Sequence, residues 1–140
     1  MNERLSLDRA HALRGTKTLD WFFANRKWIR TAKLLVVECA WAERPLPEGE
    51  APVQFLILAA KRSYKRAHDR NRIKRWLRAA VNQVPAFAEL ESYVNEHGVQ
   101  ILIMMRISKP IRDLEWPIIV SDVESIAAHL TRRVNKEPQA

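Results

Sequence analysis

The chain has 140 residues, 47% of them apolar and 29% charged, which is the balance of one globular domain and not of a disordered segment. Twenty-four Lys and Arg against 16 Asp and Glu leave a net charge of +8, an excess that points to a polyanionic partner. Three Gly argue against a glycine-rich phosphate loop, and the single Cys39 cannot form an internal disulfide. No apolar run is long enough to cross a bilayer, and from the polar start with Asn2, Glu3, Arg4 and Asp8 no secretion signal is expected. A cytoplasmic protein with no membrane partner is expected, folded as one domain over 1–140 with 1–17 and 135–140 flexible.

Leu19, Phe22, Phe23 and Arg26 recur at three and four residues, which predicts a helix over 18–26. Residues 33–41 are apolar and β-branched and read as a strand. Pro45, Pro47, Gly49 and Pro52 make 42–52 a loop. A second strand follows over 53–60, apolar on both faces, as in a sheet covered by helices. The short connection predicts that these two strands pair as an antiparallel hairpin.

A helix is expected over 67–84, ended by Pro85. At 100° per residue Ile73, Trp76, Leu77, Ala80 and Val84 share one side, and His68, Asn71, Arg72, Lys74, Arg75 and Arg78 share the other. A short helix over 86–96, a strand over 99–105 and a loop over 107–118 come next. Ser121-Asp122-Val123-Glu124 reads as a capping box that opens a last helix running to about Val134. The expected architecture is α/β (α+β), a two-layer sandwich. Its small, mostly antiparallel mixed sheet is packed by an N-terminal helix, a basic helix and a C-terminal helix.

The charge is localised. Residues 61–78 hold nine Lys and Arg and one acid, Asp69, so the other 122 residues carry 15 of each sign. A helix face of this kind neutralises several phosphates at once and releases their counterions. Arg outnumbers Lys six to three there, and its planar fork of donors suits phosphate oxygens. Asn71 adds a donor and an acceptor for a 2′-hydroxyl or a base edge. The apolar side of the helix is needed to cover strands, which argues against a membrane-surface helix. No second helix is arranged for a DNA major groove, so no DNA partner is expected. Phe22, Phe23 and Trp28 could stack bases, whereas Trp76 and Cys39 read as core and Trp41 and Trp116 as core or loop anchors. His68 beside Asp69 reads as a phosphate contact or a plain surface residue. No two His sit at metal-ligand spacing, and no Ser/His/Asp or paired-carboxylate arrangement is present, so no catalytic centre and no metal site are expected in the chain. The pattern alone leaves open a ribosomal or other structured-RNA module without a role in cleavage.

Arg70-Asn71-Arg72-Ile73-Lys74-Arg75, preceded by Lys65-Arg66-Ala67-His68 and by Lys61-Arg62 at a strand end, resembles the signature of the bacterial ribonuclease P protein component. The order of elements is similar over nearly the whole chain. Two departures stand out: Leu19 replaces a cleft aromatic, and Phe55-Leu56-Ile57-Leu58 and Tyr64-Lys65-Arg66 lack glycines that the family often has. The resemblance implies an accessory subunit of an endoribonuclease that removes the 5′ leader from precursor tRNA, with the chemistry in a catalytic RNA. It implies that Mg2+ serves that RNA and that the protein requires no cofactor. It implies RNA contacts from Lys61, Arg62, Arg66, Arg70, Asn71, Arg72, Lys74, Arg75 and Arg78, which Lys65 and His68 adjoin. It implies a leader-binding cleft at Leu19, Phe23 and Val37, and a left-handed crossover around the basic helix.

Overall fold

A computed structural model describes residues 7–31 and 33–136. The described residues form four helices and a four-stranded sheet in an α+β fold. In chain order the elements are α1 (Thr16–Asn25), β1 (Lys27–Trp28), β2 (Val37–Pro45), β3 (Val53–Ala59), α2 (Ala67–Gln83), α3 (Pro85–Glu96), β4 (Val99–Ile107) and α4 (Trp116–Lys136). The sheet order is β1-β2-β4-β3, with β1–β2 and β2–β4 antiparallel and β4–β3 parallel.

This order corrects the expected hairpin. β2 and β3 do not pair, because β4 lies between them, with Trp41 opposite Ile103 on one side and Phe55 opposite Ile103 on the other. Burial explains the placement. Gln100 through Met105 are buried on both faces, so β4 belongs at the centre, whereas Leu56, Ile57 and Leu58 of β3 are only half-buried, as an edge strand tolerates. A parallel β3–β4 pair needs a long connection, and α2 and α3 supply it.

One face of the sheet packs against α2, α3 and α4. Cys39 and Trp41 of β2, Val53 and Phe55 of β3, and Ile101, Ile103 and Met105 of β4 meet Ile73, Leu77, Phe87, Leu90, Ile126 and Leu130 there. The other face carries a smaller cluster in which Phe22 of α1 packs with Leu13, Ala40, Ala42, Leu102 and Met104. The small side chains Ala40 and Ala42 let α1 approach β2 closely. Gly15 precedes α1 at φ +93, a backbone conformation that L side chains rarely adopt.

Several boundaries differ from the sequence reading; β2 runs on to Pro45 through residues expected as loop, and β4 runs on to Ile107. Residues 33–36 are not strand, because the amides of Leu35, Val36 and Val37 donate to the Asp122 carboxylate instead of continuing a ladder (2.7–3.1 Å). α4 begins at Trp116, so Ser121 lies inside the helix and caps nothing; Pro117 is tolerated because first-turn amides have no intrahelical partner. Residues 7–13, expected to be flexible, are tied down: the Leu7 amide donates to Asn82 Oδ1 (2.9 Å), His11 Nε2 meets Glu91 Oε2 (2.8 Å), and the Leu13 amide donates to the Phe55 carbonyl (2.9 Å). Of the rest of the expected flexible ends, 16–17 belong to α1 and 135–136 to α4, and 1–6 and 137–140 lie outside the described residues.

Candidate nucleic-acid interface

The basic segment folds as a turn followed by a helix. The amides of Ser63 and Tyr64 donate to the Ala60 carbonyl, closing a turn directly after β3 (3.0 and 2.9 Å). Tyr64 is buried and its hydroxyl donates to the Lys109 carbonyl, pinning the turn to the segment after β4. Burial pushes the Tyr64 hydroxyl up to about 12, so it stays a donor. Arg70 reaches back along α2 and gives Nη1 to the carbonyls of Tyr64 and Lys65 (2.8 and 2.9 Å). The structure thus places Arg70 as the clasp that holds Lys65 and Arg66 at the helix entrance.

α2 buries Ile73, Leu77, Ala80 and Val81, and Trp76 is half-buried. Its other side shows His68, Asn71, Arg72, Arg75 and Arg78 to solvent, with Lys61, Arg62, Lys65 and Arg66 exposed in and before the turn and Lys74 half-buried. The Arg72 guanidinium lies over the Trp76 ring at 4.6 Å, a cation–π contact that restrains it on the α2 surface. Among the described residues none of the nine cations of 61–78 has an ion-pair partner. No side chain caps the start of α2, so its free amides add positive potential to the same end.

Two cations that the sequence reading missed join this face. Lys109 and Arg112 are exposed on the segment between β4 and α4. Arg112 shares a groove of about 370 Å³ with Lys65, Arg66 and Asp69. No local pattern could have revealed this, since the Tyr64–Lys109 contact joins residues 45 apart.

The face carrying α1 holds a second, different constellation. Of the Phe pair, Phe22 is fully buried and Phe23 is 44% exposed. Arg26 lies between Phe23 and Trp28, 4.9 and 5.0 Å from the two ring centroids, and Arg106 of β4 covers Trp28 at 4.8 Å. The result is an aromatic–cation ladder, Phe23–Arg26–Trp28–Arg106, at the β1 edge. Arg26 Nη1 also meets Met104 Sδ (3.7 Å), and Arg106 Nε donates to Glu38 Oε1 (3.1 Å). Leu19 is half-buried and packs against the Phe22–Ala40–Met104 cluster under α1. Val37 is 2% exposed and packs with the core of the opposite face, because its side chain alternates with those of Glu38 and Ala40; it borders the groove that Trp28 and Arg106 line and not the Leu19–Phe23 side of the ladder.

Bases stack on rings and on guanidinium planes, and the intervening charges take phosphates. The two faces therefore differ in chemistry: α2 offers charge without open rings, and the α1 face offers rings interleaved with charge. Among the described residues no three His, Cys, Asp or Glu side chains come together as a metal site. Cys39 is fully buried, and burial pushes its thiol up, so it is an unreactive core group. Among the described residues no helix is long and apolar enough to cross a membrane.

No curated protein sequence matches the chain. A family model described as ribonuclease P matches residues 7–131, which takes in α1, the whole sheet, the basic turn and α2, and most of α4. The chain belongs to the ribonuclease P protein family, and with it to an RNA-containing endoribonuclease complex of tRNA processing.

Proposed function

We propose that this chain is the subunit that grips the catalytic RNA with the α2 face and the single-stranded 5′ leader of precursor tRNA with the Phe23–Arg26–Trp28–Arg106 ladder. The observation that carries the reading is the set of nine cations at 61–78 with no ion-pair partner among the described residues. Their mutual repulsion is relieved when phosphates replace the missing counter-charges. Lys61, Arg62, Lys65, Arg66, Asn71, Arg72, Lys74, Arg75 and Arg78 contact that RNA, His68 adjoins it, and Arg70 positions the turn.

Cleavage is assigned to the RNA, with Mg2+ held there. The protein lowers the electrostatic cost of bringing two polyanions together and orders the leader. Phe22 meets the Phe23 ring edge to face (5.6 Å) and leaves that exposed ring to a base.

The test is affinity for the RNA subunit against salt. Removing one cation that neutralises a phosphate flattens the log–log slope by about 0.9 for a duplex and about 0.7 for a single strand. Arg72→Ala and Arg75→Ala should each weaken binding and reduce the slope by roughly that amount. Unchanged affinity and slope in both variants would remove α2 from the interface. Weakened RNA binding with unaltered precursor cleavage would leave a structured-RNA module without a role in processing.

A further inference from the structure

We propose that the single-stranded track continues past Trp28 and Arg106, round the β1 edge, into a second basic groove on α4 that takes phosphates of the leader's distal nucleotides. This rests on the reading of the α1 face as the leader site. Three observations carry it.

The first is continuity. Trp28 and Arg106, the last rungs of the ladder, also line a groove of about 650 Å³ with Arg30 and Thr31. Thr31 in turn lines a neighbouring groove of about 330 Å³ with Lys33, Glu124, His129 and Arg132. The two grooves share Thr31, so a chain leaving the ladder meets one and then the other on its way to the outer side of α4.

The second is charge. Arg30, Lys33, Arg132 and Arg133 are exposed, and among the described residues none has an ion-pair partner. The hydroxyls of Thr31, Ser121 and Ser125 lie among them, suited to phosphate oxygens. Each groove has one carboxylate in its lining, Glu38, which pairs with Arg106, in the first and Glu124 in the one on α4. Cations near a helix C-terminus can merely complement its dipole. That does not account for Arg30 and Lys33, which come from a different segment. Burial, and then Arg132 and Arg133, hold the His129 imidazole below its ordinary value, in keeping with a positive site that lacks its anion.

The third is rigidity. The Asp122 carboxylate accepts the amides of Leu35, Val36 and Val37, fastening the chain just after Lys33 to α4. The two walls of the groove are thus held together before any ligand arrives, which reduces the ordering cost of binding.

The experiment uses the reconstituted holoenzyme and precursor tRNAs with leaders of about 5 and about 12 nucleotides, lengths that bracket a short single-strand site. Lys33→Ala combined with Arg132→Ala should spare the short leader and weaken the long one. Removing two cations from single-strand phosphates flattens its salt slope by about 1.4, which is about 25-fold in affinity between about 1 M and about 0.1 M salt. Glu124→Gln should tighten the long leader alone, an effect of opposite sign that a folding defect would not produce. Equal losses for both leaders, no loss for either, or weaker binding of the RNA subunit without substrate would each overturn the extended track. If the parent protein fails to distinguish precursor from mature tRNA, the leader site itself falls, and the track with it. If it does distinguish them and only the groove variants are silent, the leader site stands and the track alone is lost.

Discussion

Asp122 gives the sharpest test of how this fold is held. Its side chain is 1% exposed, and its two oxygens accept the amides of Leu35 (3.0 and 3.1 Å), Val36 (2.7 Å) and Val37 (2.8 Å). Asp122→Ala removes the acceptor from all three. Leu35 is 62% exposed, so its amide can turn to water, but Val37 is buried and Val36 half-buried. A buried donor left unsatisfied costs about 1–3 kcal/mol, and hydrogen bonds to a charged group contribute about 1.5–3 kcal/mol. The expected loss is about 3–5 kcal/mol, a large part of the roughly 5–15 kcal/mol of a typical domain. At about 3–5 °C per kcal/mol for a chain of this size, the midpoint should fall by about 10–20 °C. Asp122→Asn can place its amide oxygen where Oδ2 lies and keep the Val36 and Val37 bonds without the charge, so it should lose about 1–2 kcal/mol. Urea and thermal unfolding followed by tryptophan fluorescence and far-UV dichroism give the order parent, Asn, Ala. An Asp122→Ala protein within about 0.5 kcal/mol of the parent would refute the clamp.

Phe23→Ala should weaken leader-bearing precursor by about 1–3 kcal/mol, the worth of one stacked base, and leave mature tRNA unchanged; equal losses by equilibrium binding would take Phe23 out of the leader site. Lys109→Ala with Arg112→Ala should reduce the salt slope for the RNA subunit by up to about 1.8, and an unchanged slope would detach this segment from the α2 face. The Asp8 carboxyl is held below its ordinary value of 3.8, first by its hydrogen bond with His11. A depressed carboxyl contributes stability that is complete above the ordinary value and lost as the pH falls below it. The difference in unfolding midpoint between the parent and Asp8→Asn should therefore be present at neutral pH and vanish in strong acid; a difference that grew on acidification would contradict this.

The basic helix was legible from residue order alone. That helix is a local object: nine cations, a 3.6-residue apolar period and a terminating Pro85 all lie within 25 residues, and the structure places α2 at Ala67–Gln83, one residue short of the expected end. α3 and the extent of β3 were legible for the same reason. The division of labour between Phe22 and Phe23 was not, because both lie at helical spacing and only the approach of Ala40 and Ala42 decides which ring is covered.

Strand order, and the sites built across it, became visible only in the packed chain. Periodicity says that β2, β3 and β4 are apolar, but which lies at the centre depends on total burial, and β4 takes that place because six consecutive residues there can be covered on both faces. The Asp122 clamp, the Arg26–Trp28–Arg106 stack and the pinning of Lys109 beside the basic turn join residues 45 to 87 positions apart. Asp122 is instructive, since as a sequence it read as part of a cap, while its carboxylate in fact ends β2 by taking the amides that a longer strand would have used. Local patterns record what a segment can bury or bond; which distant group meets it is set by packing the whole chain.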